Sequence, residues 1–399
     1  MKVVLLKNYV LICKKNMITS IRNHFPICNK YYFFQSAGLS PIPEFILKKY
    51  ISNYENYCYE GDFKWQQDVN LLKATYEEIA KWINTSAENI SFVENNSLAM
   101  SLIALSLKKK HNNFNIVSLA EEFPSNSVPF EYLGIEMKYV QHNNHRYTVD
   151  SILNACDDKT LAVVVSYVQY STGFRLNIEK LGNELKKRNI LFIVNATQAF
   201  PFFSIDFASM QIDVLTCSLH KWTFCAHIGT LFVTSDNYRK NYPSPIAGWL
   251  SLNVSEYENF IHTQKNVPFK LWENAQQYNF GSSNIKNRIL IKDVLLFLKE
   301  NNLENLRKQV LKNRKLLINL LKEINVKIIS PNDNDDEISF IVSIDLGKDI
   351  NAKLLSYLEK HNVIVTLRNN FIRISLNIFN NEDDVKYLIS CIKNFLDNK

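Results

Sequence analysis

Between about residues 85 and 235, short apolar runs alternate with stretches of helical periodicity, and this alternation constrains the fold more than any other feature. Strand-then-helix repeats are βαβ units, which build a mostly parallel sheet covered by helices. Strand candidates are Ile90–Glu94, Asn115–Leu119, Leu161–Val168, Ile190–Val194, Asp213–Cys217 and Ile228–Val233. The Leu161–Val168 run is apolar on both faces, as a central parallel strand requires. Ile178, Leu181 and Leu185 mark one face of a crossover helix. Past residue 290 the texture changes. Leu303, Leu306, Val310, Leu317, Leu321 and Ile324 form a long helical stripe. An alternating strand follows, with Ile338, Phe340, Val342 and Ile344 facing one way, then a helix over Ala352–His361. A last strand, Ile372–Leu376, precedes a helix capped by Asn381. The pattern predicts a large α/β domain with a smaller α+β domain appended.

Composition narrows the function classes. The chain has 399 residues, enough for two domains at roughly 100–200 residues each. Hydrophobic residues at 46% and charged residues at 21% exclude disordered and fibrous classes. The net charge of +7 is spread along the chain rather than collected in one stripe, so no nucleic-acid partner is expected. Nine glycines beside abundant Asn, Lys and Ile read as the bias of an AT-rich genome. Cys13, Cys28, Cys58, Cys156, Cys217, Cys225 and Cys391 include no C-x-x-C pair. Neither a disulfide framework nor a metal site is expected, and most should be reduced and buried. Residues 1–16 are mildly apolar but broken by Lys2, Lys7, Lys14 and Lys15, too short for a signal peptide; they read as a leader or a misannotated start before Met17. No run approaches the ~18 apolar residues of a membrane span. A cytoplasmic protein is expected, with no membrane partner.

The stretch from Ile193 to Val233 carries most of the chemistry. One buried strand ends in Asn195-Ala196-Thr197-Gln198 and another in Ser218-Leu219-His220-Lys221. Ligands of open α/β sheets bind beyond the carboxyl ends of strands, so both clusters would face one crevice. A lysine there, beside an imidazole and a hydroxyl, is placed to form an imine with a carbonyl cofactor if desolvation keeps part of its amine neutral. From these residues alone, a lysine at a strand end in solvent remains the commoner alternative.

From about Tyr31 to its C-terminus the chain resembles the class V aminotransferase family of pyridoxal-phosphate enzymes, which includes cysteine desulfurases, selenocysteine lyases and isopenicillin-N-epimerase-like proteins. The resemblance rests on Asn195–Gln198 followed by Ser218-Leu219-His220-Lys221, with further motifs in order. It implies fold type I: a large domain with a mostly parallel seven-stranded sheet flanked by helices, plus a smaller α+β C-terminal domain. The domains expected are an N-terminal segment over 17–45 that packs with the small domain, a large cofactor domain over 46–285 and a small domain over 286–399.

By the same resemblance, Lys221 forms the Schiff base with pyridoxal 5'-phosphate. Asn96 and Ser97, where a strand turns into a helix, hold the phosphate together with Ser218, His220 and a Ser282 reaching across a dimer interface. Phe123 stacks on the pyridine ring, Gln198 bonds its phenolate and Asn195 faces its nitrogen. Gln169 and Tyr170 reach the phenolate or the substrate. Arg373 clamps the carboxylate of an amino-acid substrate. A homodimer is implied.

Three departures bear on the reaction. Asn195 replaces the family aspartate and, being neutral, leaves the pyridine nitrogen largely unprotonated, which weakens the ring as an electron sink. Trp222–Gly229 replaces a glycine-rich turn, so Phe224 and His227 should reshape the pocket, with His227 a substrate contact or a packed loop residue. Between Leu346 and Ser390 there is no cysteine to carry a persulfide. A lyase-type reaction, with C–S β-elimination in view, is therefore expected over amino transfer or epimerisation. A non-catalytic scaffold that kept the fold is the rival reading.

Overall fold

Seven strands form one sheet in a computed structural model of the chain, which describes residues 20–253 and 270–398. The leader over residues 1–16, Met17 and Cys13 lie outside the described residues. The strands are β1 (Ile90–Val93), β2 (Asn115–Leu119), β3 (Glu136–Val140), β4 (Thr160–Ser166), β5 (Leu191–Asn195), β6 (Val214–Ser218) and β7 (Thr230–Thr234). Their spatial order is β1-β7-β6-β5-β4-β2-β3. From β3 through β6 every pairing is parallel, whereas β7 runs antiparallel to both neighbours. Every residue of β2, β5, β6 and β7 is buried, which is why these strands read as continuous apolar runs. No apolar run announces β3. It is an edge strand with Glu136 exposed and Met137–Tyr139 only half-buried.

Helix α1 (Asn96–Lys110) follows β1 and is capped by Asn95, whose Oδ1 accepts the Leu98 N–H at 2.9 Å. Helix α2 (Ile178–Lys187) buries Ile178, Leu181, Gly182 and Leu185, the face expected from periodicity. No helix among the described residues is long and apolar enough to cross a membrane.

The chain divides into two compact units. The first holds Glu55–Tyr170 and Arg175–Leu295, and with them the seven-stranded sheet. The second holds residues 20–54, Ser171–Phe174 and residues 296–398. Within the second, β8 (Lys327–Ile328), β9 (Ile341–Asp345), β10 (Thr366–Arg368) and β11 (Phe371–Ser375) form an antiparallel sheet in the order β10-β11-β9-β8. Helices α3 (Leu303–Glu323), α4 (Lys348–Lys360) and α5 (Glu382–Asp397) belong to the same unit. Asn381 caps α5 in a reciprocal pair: its Oδ1 accepts the Asp384 N–H at 2.9 Å, and Asp384 Oδ2 accepts the Asn381 N–H at 3.2 Å. Asp384 also takes Arg22 at 2.7 Å, tying the N-terminal segment to α5.

The alternation around β9 predicts one buried face, yet both are buried. The second face is covered by Ser171–Phe174, where Ser339 and Ser343 donate to the carbonyls of Gly173 and Ser171. The cysteines also depart from expectation. All six described are free thiols, but only Cys217, Cys225 and Cys391 are buried, and Cys58 is exposed.

Gly182 sets how closely α2 lies on the sheet. A Cβ there would stand 2.0 Å from the Met210 carbonyl oxygen and 3.0 Å from the Phe192 ring. Helix propensity favours Ala over Gly by about 1 kcal/mol, but a backbone oxygen cannot yield as a side chain does. Gly182→Ala should therefore destabilise by about 2 kcal/mol or more. Chemical unfolding checks the sign.

Candidate active site

Strands β4, β5 and β6 end side by side, with Ser166 paired to Asn195 and Asn195 to Thr216. Their carboxyl ends open the crevice where such sheets bind ligands. The chain leaves β6 through Leu219 and His220 to Lys221, whose Nζ stands 5.4 Å from the centroid of the Phe123 ring. Phe123 is 42% exposed. Tyr170 meets it edge-on, with centroids 5.3 Å apart and planes at 84°. Lys221, Phe123 and Tyr170 are thus brought together from three segments.

Gln198 is buried, and its Oε1 accepts the Trp222 indole N–H at 2.8 Å. An indole only donates, so Trp222 fixes the amide of Gln198 with its NH2 turned the other way. Ser218 is buried with its hydroxyl 3.2 Å from that of Thr230, while its N–H donates to Thr197 Oγ1 at 3.0 Å. The His220 ring lies 4.7 Å from the exposed His227 ring. Burial, then the charges of Lys221 and His227, push the His220 imidazole down to about 4, so it is neutral at pH 7.

Asn96 is buried at the start of α1 and donates to Ser125 Oγ at 2.7 Å, while its own Oδ1 is buried without a hydrogen-bond partner. Ser97 is exposed on the first turn, whose N–H groups suit an anion. It lines a cavity of about 510 Å³ with Ser101, Phe123 and Ser125. Ser282 sits exposed on the turn before the short helix Ile285–Arg288. Arg373 belongs to the second unit, on β11, where it is 1% exposed and its Nε donates to Thr366 Oγ1 at 3.2 Å.

Glu122 and Asn126, on either side of Phe123, were given no task from the sequence. The Glu122 carboxylate accepts the Ser166 N–H (2.6 Å), the Ser166 hydroxyl (2.6 Å), Gln169 Nε2 (2.9 Å) and Asn126 Nδ2 (2.8 Å). Burial raises its pKa and these donors oppose the rise. Asn126 Oδ1 in turn accepts Asn195 Nδ2 at 2.9 Å, and Asn195 Oδ1 accepts the Thr197 N–H at 3.0 Å. Gln169 spends its NH2 on Glu122, and its Oε1 is buried without a partner. The only sequence signal was a carboxylate four residues ahead of an amide. Beside it, Glu121, His142 and His145 group together. His142 Nδ1 accepts the His145 N–H at 3.1 Å, so its Nε2 carries the proton toward Glu121 at 3.5 Å. That grouping is a hydrogen-bonded clasp.

After Lys221 the backbone turns left-handed at Phe224 (φ 56°) and Ala226 (φ 48°). Phe224 is fully buried, filling the space a glycine would leave. A left-handed non-glycine residue costs about 1–2 kcal/mol, so Ala226→Gly should raise the thermal midpoint by relieving that strain. His220 gives a pH test. Its pKa falls from an ordinary 6.5 to about 4 on folding, so the unfolded chain binds the extra proton between those values. Its contribution is whole above pH 6.5 and is lost as pH falls toward 4, by up to about 3 kcal/mol. His220→Asn should flatten that part of the stability–pH curve measured by urea unfolding.

The aminotransferase class-V family profile matches residues 32–388. An uncharacterized aminotransferase of Schizosaccharomyces pombe is 24% identical over 395 residues, covering 96% of this chain and 97% of its own. A probable cysteine desulfurase of Mycoplasma genitalium is 24% identical over 379 residues, covering 90% and 91%. Among solved structures, the cystine C–S lyase C-DES with its product cysteine persulfide superposes with TM-score 0.83 at 16% identity, over 93% of this chain and 99% of that one. A mutant of C-DES carries glycine covalently linked to its PLP cofactor, and superposes with TM-score 0.84 at 15% identity over 94% and 99%. With the profile spanning most of its length, the chain belongs to the class V aminotransferase family, whose cofactor is pyridoxal 5'-phosphate.

Proposed function

We propose that this chain is a cytoplasmic, homodimeric pyridoxal-phosphate enzyme of the lyase type, acting at the α-carbon of an amino acid, with C–S cleavage the favoured reaction. The observation that carries the reading is Lys221 Nζ, poised 5.4 Å from the Phe123 ring at the carboxyl ends of β5 and β6. The residues around it fit the cofactor. Gln198 is turned with its NH2 away from Trp222, the polarity a phenolate oxygen needs, whereas Asn96 Oδ1 and Gln169 Oε1 are buried acceptors without partners and can take only a donor. Phe123 offers a face for ring stacking. Ser97, Ser218 and His220 suit the phosphate, with Ser282 reaching it across the dimer. By the family resemblance Arg373 suits the substrate carboxylate, and Tyr170 stands edge-on to Phe123.

Bound pyridoxal phosphate supplies a carbonyl for covalent capture of the amino group and a ring that draws electrons from the α-carbon. Lys221 would be the amine that holds that carbonyl, and it would serve as the acid and base for the proton at the α-carbon. Neutral His220 could donate a hydrogen bond without adding charge beside Lys221, so the lysine meets less repulsion. Asn195 favours a lyase over a transaminase. A neutral amide lets the ring draw electrons less strongly, and a departing β-substituent lowers that demand. The absence of cysteine between Leu346 and Ser390 argues against a persulfide relay on the protein. The C–S lyase title of C-DES supports the same direction.

Purified protein incubated with pyridoxal phosphate should show a borohydride-sensitive visible band that Lys221→Ala lacks. With cysteine it should release pyruvate, ammonia and sulfide, and with cystine pyruvate, ammonia and cysteine persulfide; Lys221→Ala should lose about 10³-fold or more of that turnover. Amino transfer to a 2-oxo acid outpacing elimination would reverse the reaction assignment. A protein that stays colourless with the cofactor would point to the scaffold reading.

A further inference from the structure

A carboxylate only accepts hydrogen bonds, and that fact orients every amide in the chain leading away from Glu122. Asn126 turns its NH2 to Glu122 Oε2 at 2.8 Å and to Ser166 Oγ at 3.2 Å, spending both of its N–H groups. Its carbonyl must therefore face the other way, where it meets Asn195 Nδ2 at 2.9 Å and Asn96 Nδ2 at 3.4 Å. Asn195 is held from both sides: Asn126 fixes its NH2, and the Thr197 N–H at 3.0 Å fixes its carbonyl. All of these groups are buried or nearly so. One N–H of Asn195 is spent on Asn126; the other is what it offers to a ligand.

We infer that Glu122, acting through Asn126, is a positioning residue that fixes Asn195 as a hydrogen-bond donor toward the ring nitrogen of the cofactor and so keeps that nitrogen unprotonated. The inference rests on the pyridoxal phosphate reading above. Its physical content is that one amide cannot serve two carboxylates. Were residue 195 an aspartate, its oxygen would stand where Asn195 Nδ2 now stands, 2.9 Å from the Asn126 carbonyl. Rotating the Asn126 amide to donate to it would turn the same carbonyl onto the Glu122 carboxylate at 2.8 Å. The negative charge can sit at position 122 or at position 195, but the relay carries only one. Moving the charge requires Glu122→Gln and Asn195→Asp together. The new amide at position 122 then donates to a rotated Asn126, which donates in turn to the new carboxylate at position 195.

Four proteins test this: wild type, Glu122→Gln, Asn195→Asp and the double variant. In the absence of cofactor, each single change should lower the thermal midpoint, and the double should recover most of the combined loss. Two losses that simply add would overturn the relay. Loaded with pyridoxal phosphate labelled with ¹⁵N in the ring, wild type should give the nitrogen shift of an unprotonated pyridine and the double variant that of a pyridinium. A pyridinium shift in wild type, or the same shift in Asn195→Asp as in the double variant, would overturn the inference. If the midpoints recover but no variant takes up the cofactor, the amide relay stands and the pyridoxal phosphate reading falls, taking the ring-nitrogen claim with it.

Discussion

A carboxylate drawn largely out of water is tolerated only if its oxygens are met by donors, and the half-buried Glu122 is met by four. Those donors come from the end of β4, the segment after it and the turn that carries Phe123. Satisfying one charge therefore locks three pieces of chain around the crevice. The same bonds determine which way Asn126 and Asn195 point. Without that charge Asn126 could rotate, and Asn195, still oriented by the Thr197 N–H, would lose the fixed acceptor for its NH2.

Much of the fold was legible because burial on both faces leaves an unbroken apolar run. Strands β2 and β4 to β7 were each anticipated within a residue or two, and α2 by its Ile178, Leu181 and Leu185 spacing. Strand β3 was not, because an edge strand keeps polar residues such as Glu136 and Lys138 and forms no such run. The two-sided burial of β9 was hidden for another reason. Its second face is covered by backbone carbonyls of Ser171 and Gly173, which leave no trace in side-chain patterning.

The site was legible in its motifs and opaque in its wiring. The Asn195–Gln198 and Ser218–Lys221 clusters leave adjacent strands because parallel strands deliver their carboxyl ends to one edge, whereas Phe123 and Tyr170 were named only by the family resemblance. The role of Glu122 was not visible, since nothing in the sequence marks a glutamate as buried or says which amides it faces. The scarcity of glycine also reads differently in three dimensions. Among the described residues, eight of the twelve non-glycine positions with positive φ are asparagines: Asn84, Asn144, Asn189, Asn302, Asn325, Asn362, Asn369 and Asn370. Asparagine tolerates the left-handed region better than other residues bearing a Cβ. A composition first read as mutational bias thus supplies turns that a chain with nine glycines would otherwise lack.

Around Lys221 the charge balance is lean. His220 is neutral, Asn195 is a neutral donor, and the Glu122 carboxylate lies beyond Asn126, one amide removed from residue 195. On the reading proposed above, a ring held against such neighbours would draw electrons through hydrogen bonds rather than through a proton on its nitrogen. Carbanion chemistry that must store its electrons in the ring is disfavoured by that arrangement. Chemistry in which the electrons leave at once with a β-substituent is not, because the departing sulfur takes the charge the ring does not. If Asn195 faces the ring nitrogen as proposed, the polarity that Glu122 and the Thr197 N–H impose on the two asparagines would bear on which bond of an amino acid this site breaks.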